Sequence, residues 1–239
     1  MHSTRSTSAP LLLAALLFTA CGVFVGDGDA VTEEREISSF SRVASTSTVD
    51  VEITVDDGRA EALTLTCDGN LLDDIDTYVA GDTLRIETEN GVSLRPRARC
   101  VAEVRARHLE VVDVSGSGDL LVLGRAPELA ELRTSGSGEI IADDLAAPVV
   151  EAMSSGSGDV VLRGEAVDVT LESSGSGAIV AADLAAEAVH AESTGSGGIS
   201  LFASVLVYAR ASGSGDIIVF GDPENRDVES SGSGDVIIR

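Results

Sequence analysis

Residues 134–142, Thr134-Ser135-Gly136-Ser137-Gly138-Glu139-Ile140-Ile141-Ala142, carry the pattern that decides the fold. Their Gly-Ser-Gly core occurs seven times, opening at Gly116, Gly136, Gly156, Gly175, Gly195, Gly213 and Gly232. Successive copies lie 20, 20, 19, 20, 18 and 19 residues apart, each after a Ser or Thr and each before a short apolar run. Such a period is the mark of a repeat architecture in which every unit buries its apolar face on its neighbours.

The flanking residues say which architecture. Four residues before the first glycine stand Val112, Leu132, Ala152, Leu171, Ala191, Ala209 and Val228. Four residues after it stand Leu120, Ile140, Val160, Ile179, Ile199, Ile217 and Val236; six after it, Val122, Ala142, Leu162, Ala181, Leu201, Val219 and Ile238. Even steps put side chains on one face of a strand, so these are three inward columns. Helical repeats would need apolar steps of three and four and would not tolerate so many glycines. The sequence therefore predicts an all-β fold: a single-chain, right-handed parallel β-helix, or solenoid, of about seven coils of 18–20 residues. At ~4.8 Å per coil the rod is on the order of 34 Å long. The glycines should permit positive φ and close approach of stacked backbones at each corner. Ser117, Ser137, Ser157, Ser176, Ser196, Ser214 and Ser233 should stack in a hydrogen-bonded column.

Upstream, residues 35–114 alternate polar and apolar positions, as in Val49, Val51, Ile53 and Val55, and read as a β region capping the same domain as the repeats at 115–239. Asp56-Asp57-Gly58 predicts a hairpin and Ala80-Gly81-Asp82 a second turn; 70–78 is the one short helical candidate. Residues 21–34, rich in Gly and Asp, read as a flexible tether.

Residues 1–20 have the form of an export signal: His2 and Arg5 precede the apolar run Leu11 to Ala20, which is too short to span a bilayer. Phe18-Thr19-Ala20-Cys21 is similar to a bacterial lipobox, which makes Cys21 the expected lipidation site and the outer membrane the expected location, since Gly22 rather than Asp follows. Acyl chains would hold the protein to the membrane. Ordinary cleavage beside an incidental cysteine is the alternative. Export also bears on Cys67 and Cys100, which the alternation points inward: an oxidising compartment favours a disulfide, contributing roughly 3–4 kcal/mol on the chain-entropy account, against two buried free thiols.

Composition removes several classes of function. The 16 basic residues, all arginine, face 40 acids, for a net charge of −24, which disfavours nucleic acid and anionic lipid surfaces, since both need a basic footprint. Aromatics make up 3% of the chain with no Trp, which weakens the case for a glycan groove. His2, His108 and His190 form no metal-ligand spacing with the cysteines, and no cofactor is implied.

The leader, the alternating region and the reiterated Ser-Gly-Ser-Gly-Asp-Ile/Val together resemble the bacterial head GIN domain family of autotransporter-type adhesins, over residues 38–239. The resemblance implies a β-solenoid of the cell envelope with an adhesive role, and no site residues. No barrel-forming segment follows Asp235-Val236, so self-translocation is not expected.

Two patterns remain as candidate sites. Asp119, Glu139, Asp159, Asp216 and Asp235 follow the corners and form an acidic column open to Ca²⁺, interrupted by Ala178 and Gly198; the alternative is solvated turn acids. Arg95, Arg97, Arg99, Arg105 and Arg107 form a basic stripe, its first three members on one strand face, suited to an anionic polymer or a partner's acidic edge, or else to pairing with Glu87, Glu89 and Glu103. An enzyme acting on envelope polysaccharide would need convergent acids and bases, whereas Asp73-Asp74 and Asp143-Asp144 alternate across a strand. The expectation is a non-enzymatic, membrane-anchored scaffold for adhesion or protein interaction; the alternatives are an envelope polysaccharide-processing β-helix enzyme and a structural or signalling partner of a membrane complex. Its last coil, without a cap, should stack on a second copy or another envelope protein.

Overall fold

The structure, a computed structural model, describes residues 22–88 and 92–239. The strand before each Gly-Ser-Gly pairs in parallel with its counterpart in the next coil. One ladder thus runs through Val111–Val114, Glu131–Thr134, Val149–Ser154, Asp168–Ser173, the later halves of Ile179–Ser193 and Ile199–Ala211, and Asn225–Ser230. Strands after the corner build a second ladder: Leu120–Leu123, Ile140–Leu145, Val160–Glu165, the earlier halves of the same two long strands, Ile217–Phe220 and Val236–Ile238. This is a parallel β-solenoid.

The three inward columns hold. Every member from Val112 to Val219 is buried, and only the last coil departs, with Val228 40% exposed and Val236 and Ile238 half-buried. The third side of the coil absorbs differences in length. Between Ile179–Ser193 and Ile199–Ala211 the register breaks after Ala181 and again after Ala186, which accommodates the 18-residue spacing from Gly195 to Gly213 without disturbing either corner.

Corner chemistry explains the glycines, and only in part as the sequence led us to expect. Positive φ is confined to Gly28, Gly81, Gly124, Gly164 and Gly221 among the described residues; no corner glycine has it. The requirement is proximity. The carbonyl oxygen of Gly116 accepts hydrogen bonds from Ser137 N and Gly138 N, at 3.0 and 3.3 Å, and the arrangement repeats up the stack. A Cβ on Gly136, Gly156, Gly175, Gly195, Gly213 or Gly232 would overlap the first-glycine carbonyl of the coil beneath, and one on the second glycine of each pair would overlap the second-glycine carbonyl there.

The expected serine column is also displaced. Side chains of the central serines, Ser117 through Ser233, are exposed. The working hydroxyls lie three residues earlier and are mostly buried: those of Thr134, Ser154, Ser173, Ser193 and Ser230 donate to the second-glycine carbonyl of their own corner at 2.5–3.1 Å. Val114 and Ala211 interrupt that column.

The alternating region upstream is part of the same stack, inserted out of order. Strands Arg42–Ser45 and Asp50–Val55 form the level directly beneath Val111–Val114 and Leu120–Leu123. Strands Thr83–Thr88 and Val101–Ala106 form the level beneath that. Ser47 and Val49 fall in register with Gly116 and Gly118, yet carry buried side chains. Among the described residues the level below does not repeat this short corner: between Thr83–Thr88 and Val101–Ala106 it carries the strand Val92–Arg95, where residues 46–49 alone join the strands above.

Antiparallel strands close this end. Ile75–Ala80 pairs with Thr83–Thr88 around Gly81, whose φ is +67°. Ala62–Asp68 pairs with Val101–Ala106 and, on its other edge, with Ala30–Arg35. Asp56-Asp57-Gly58 does not make the expected hairpin, because Val101–Ala106 lies between the two strands that the turn joins. The helical candidate is a 3-10 turn, Gly69–Asp74, burying Leu71 and Leu72.

Replacing Gly156 by Val should lower the melting temperature by roughly 6–12 °C, because a side chain forced against backbone costs about 3 kcal/mol. Ser157→Ala, one residue away, should change it by less than about 2 °C. Thermal denaturation of the two variants checks both.

Candidate functional site

At the closed end Asp68 is fully buried, and its carboxylate accepts from Gly28 N at 2.5 Å, Arg97 N at 2.9 Å and Ala98 N at 3.0 Å. Asn70 adds bonds to Val25 O and from Asp27 N, both 3.0 Å, and a Cβ on Gly26 would overlap the Asp68 carboxylate. Cys67 and Cys100 are joined in a disulfide beside it. These contacts fix the first strand, Gly22–Val25, in parallel register with Val92–Arg95. The expected flexible tether is therefore ordered from Gly22 onward: backbone and side-chain acceptors outweigh its Gly-rich composition. Cys21 lies outside the described residues.

Burial tends to raise the Asp68 carboxyl, but the three backbone donors, Arg97 foremost, outweigh it and hold the pKa below its ordinary 3.8. A folded-state pKa below the unfolded one contributes stability that is complete above about 3.8 and is lost as pH falls through the folded value.

The acidic column serves the backbone. Asp119 N donates to Asp50 Oδ1, Glu139 N to Asp119 Oδ1, Ala178 N to Asp159 Oδ1 and Asp235 N to Asp216 Oδ1, at 2.7–3.2 Å. Each such carboxylate turns along the stack to the next coil, and the column's members do not gather into a cation cage; among the described residues the one close acidic or thiol group is Cys67, Asp68 and Cys100, with both sulfurs in the disulfide. Glu139 differs: burial, then the charges of Asp119 and Asp159, push its pKa above 4.5, opposed by Arg163.

The arginine stripe is dispersed. Its strand ends at Arg95, so Arg97 and Arg99 lie in the following loop rather than on a shared strand face. Arg99 pairs with Glu52 at 2.6 Å and Asp50 at 3.8 Å, and Arg105 donates to Ala60 O. Arg107 lines a groove of about 360 Å³ with Asp56, His108, Arg125 and Glu128. Sequence reading weighed His108 only as a metal ligand and passed over Arg125; the two join the groove through stacking of successive turns.

A longer surface follows the outer face of the first ladder. Asp113, Arg133, Met153, Glu172 and Glu192 line a groove of about 220 Å³ along the coils, and Arg210 and Glu229 continue it. His190 stacks on Tyr208 with ring centres 4.4 Å apart, Arg210 lies 4.6 Å over the Tyr208 ring, and His190 Nε2 meets Glu192 at 3.2 Å. Asp143 pairs with Arg163 and Asp144 with Arg125, so neither faces the other as an acid–base couple would.

Fold and surface together define a repeat-built β-solenoid with a varied outer face. The chain belongs to the family described as "Putative auto-transporter adhesin, head GIN domain", whose model matches residues 39–223. No curated protein matches it in sequence. Similar solved structures include a "putative adhesin" from Bacteroides fragilis, 23% identical with a TM-score of 0.85, covering 90% of this chain and 100% of its own. A "putative lipid binding protein" from Parabacteroides distasonis is 26% identical with a TM-score of 0.74, over 90% of this chain and 99% of its own. A "putative adhesin" from Parabacteroides merdae is 19% identical with a TM-score of 0.72, over 91% and 99%. None of these descriptions is of an enzyme.

The two perturbed carboxyls give opposite signs on neutralisation. Asp68→Asn should lower stability at pH 7 and speed hydrogen exchange at Gly28, Arg97 and Ala98, whereas Glu139→Gln should raise stability slightly by removing a crowded charge. Urea unfolding at pH 7 and pH 4, with amide exchange, reads both.

Proposed function

We propose that the protein is a non-enzymatic lipoprotein of the bacterial outer membrane, anchored through Cys21, that acts as an adhesion or protein-interaction scaffold. The observation that carries this reading is the division of labour between the two sides of each strand. The three inward columns are apolar in every coil, while the outward column Asp113, Arg133, Met153, Glu172, Glu192, Arg210 and Glu229 changes character from coil to coil. A rigid frame displaying a non-repeating row of charges suits recognition of an extended partner. Membership of the adhesin family supports the same reading.

Proximity crosslinking in intact cells tests it. An envelope partner should be captured by the native protein and lost with Cys21→Ser, which removes the acyl acceptor, or with Arg133→Glu and Arg210→Glu together, which reverse two charges in the groove. Capture unaffected by either change would sink the proposal.

The last coil supplies a second, homotypic contact. Asn225–Ser230 and Val236–Ile238 each pair along one edge only among the described residues, and Val228 leaves the inner column exposed. Sedimentation at rising concentration should show self-association that Val228→Lys abolishes; a monomer throughout would remove this contact.

A further inference from the structure

The first described strand is apolar and open to solvent. Val23, Phe24 and Val25 are 52%, 43% and 47% exposed, and Val31 is 42% exposed. Val23, Phe24 and Val25 belong to a two-stranded sheet outside the main ladders, Gly22–Val25 against Val92–Arg95, and exposure at three successive positions leaves both faces of the strand accessible; Val31 lies in the neighbouring strand Ala30–Arg35. Apolar side chains grouped in this way mark a contact surface.

Position in the chain indicates the occupant. The strand begins one residue after Cys21, so a lipid on that cysteine would bring the bilayer within a few residues' reach of Val23. Nor can this segment extend away like a free linker, because Asp68, Asn70 and the disulfide hold it to the solenoid.

Charge agrees. In a chain of net charge −24, exposed Arg95 and Arg97 lie beside the same sheet: Val25 pairs with Arg95, and the Arg97 backbone is held by Asp68. Neither arginine side chain makes an ion pair among the described residues, although Asp27 and Asp29 occupy the neighbouring turn; Arg99, two residues on, is already engaged by Glu52 and Asp50. Guanidinium groups free of carboxylates are suited to lipid phosphates.

We propose that Val23, Phe24 and Val25, flanked by Arg95 and Arg97, form a bilayer-docking surface that seats the base of the solenoid in the headgroup region, about 5–10 Å deep. This rests on the reading of Cys21 as the lipid anchor. Docking turns a point attachment into an oriented one, since the clamp transmits the seating of the strand to the whole stack.

Absence of tryptophan from the chain makes the test direct. Phe24→Trp introduces a sole indole fluorophore into the full-length, lipidated protein, which is reconstituted in phosphatidylethanolamine–phosphatidylglycerol vesicles. Brominated acyl chains should reduce its emission about twofold, and aqueous iodide should have little effect. A Tyr208→Trp probe on the repeats should show the reverse. Val23→Ser with Val25→Ser should restore iodide access, and Arg95→Glu with Arg97→Glu should remove the dependence on phosphatidylglycerol.

If the acylated protein floats with vesicles while the residue-24 probe stays open to iodide, the docking surface is overturned and the anchor stands. Equal bromolipid quenching of both probes would also overturn it. If mass spectrometry finds no acyl chain on Cys21, the anchor reading fails separately. The same probe on unacylated protein added to vesicles then decides the docking surface: quenching upholds it, and none overturns it.

Discussion

Everything above residue 110 depends on how closely two corner backbones approach. One carbonyl oxygen accepts two N–H groups from the coil above, and the approach leaves no volume for a Cβ at either glycine. The Cβ direction at each corner glycine runs into a backbone carbonyl of the coil beneath, so the obstacle is main chain that cannot move aside. Glycine is thus selected by the neighbouring coil rather than by its own dihedral angles. Ser47 and Val49 make the same point by contrast, since side chains return where, among the described residues, no equivalent corner lies beneath.

That dependence accounts for how the sequence could be read. The repeat period, the parallel ladders and the three inward columns were legible because each coil states the same pattern and an even step has one structural meaning. The order of the first two levels was not. Nothing local in strands Arg42–Ser45 and Asp50–Val55 shows that Thr83–Thr88 and Val101–Ala106 will slide beneath them, because that placement is settled by pairing between distant strands. The turn at Asp56–Gly58 misled for the same reason: it reverses the chain, but Val101–Ala106 takes the place between the strands.

Surface features were harder still. The acidic residues were identifiable, while their use was not, because an aspartate accepting an N–H one coil away looks in sequence like any turn acid. Likewise the hydroxyls of Thr134, Ser154, Ser173, Ser193 and Ser230 recur in five of the seven repeats and the exposed serines three residues later in all seven, and sequence does not say which of the two sets bonds the corner. The Asp68 clamp has no motif at all. Its three donors, at 28, 97 and 98, converge only after two loops and a disulfide have met.

The out-of-order levels divide the molecule into parts with different freedom to change. From Gly136 onward each corner touches only its neighbours, so a whole coil can be added or removed with every local contact conserved, changing the rod by ~4.8 Å each time. Residues 22–106 admit no such edit, because their levels, closing strands and clamp are mutually interlocked. Length is therefore a quantity that lineages of this fold can adjust in discrete steps at one end, while the base that fixes orientation stays the same.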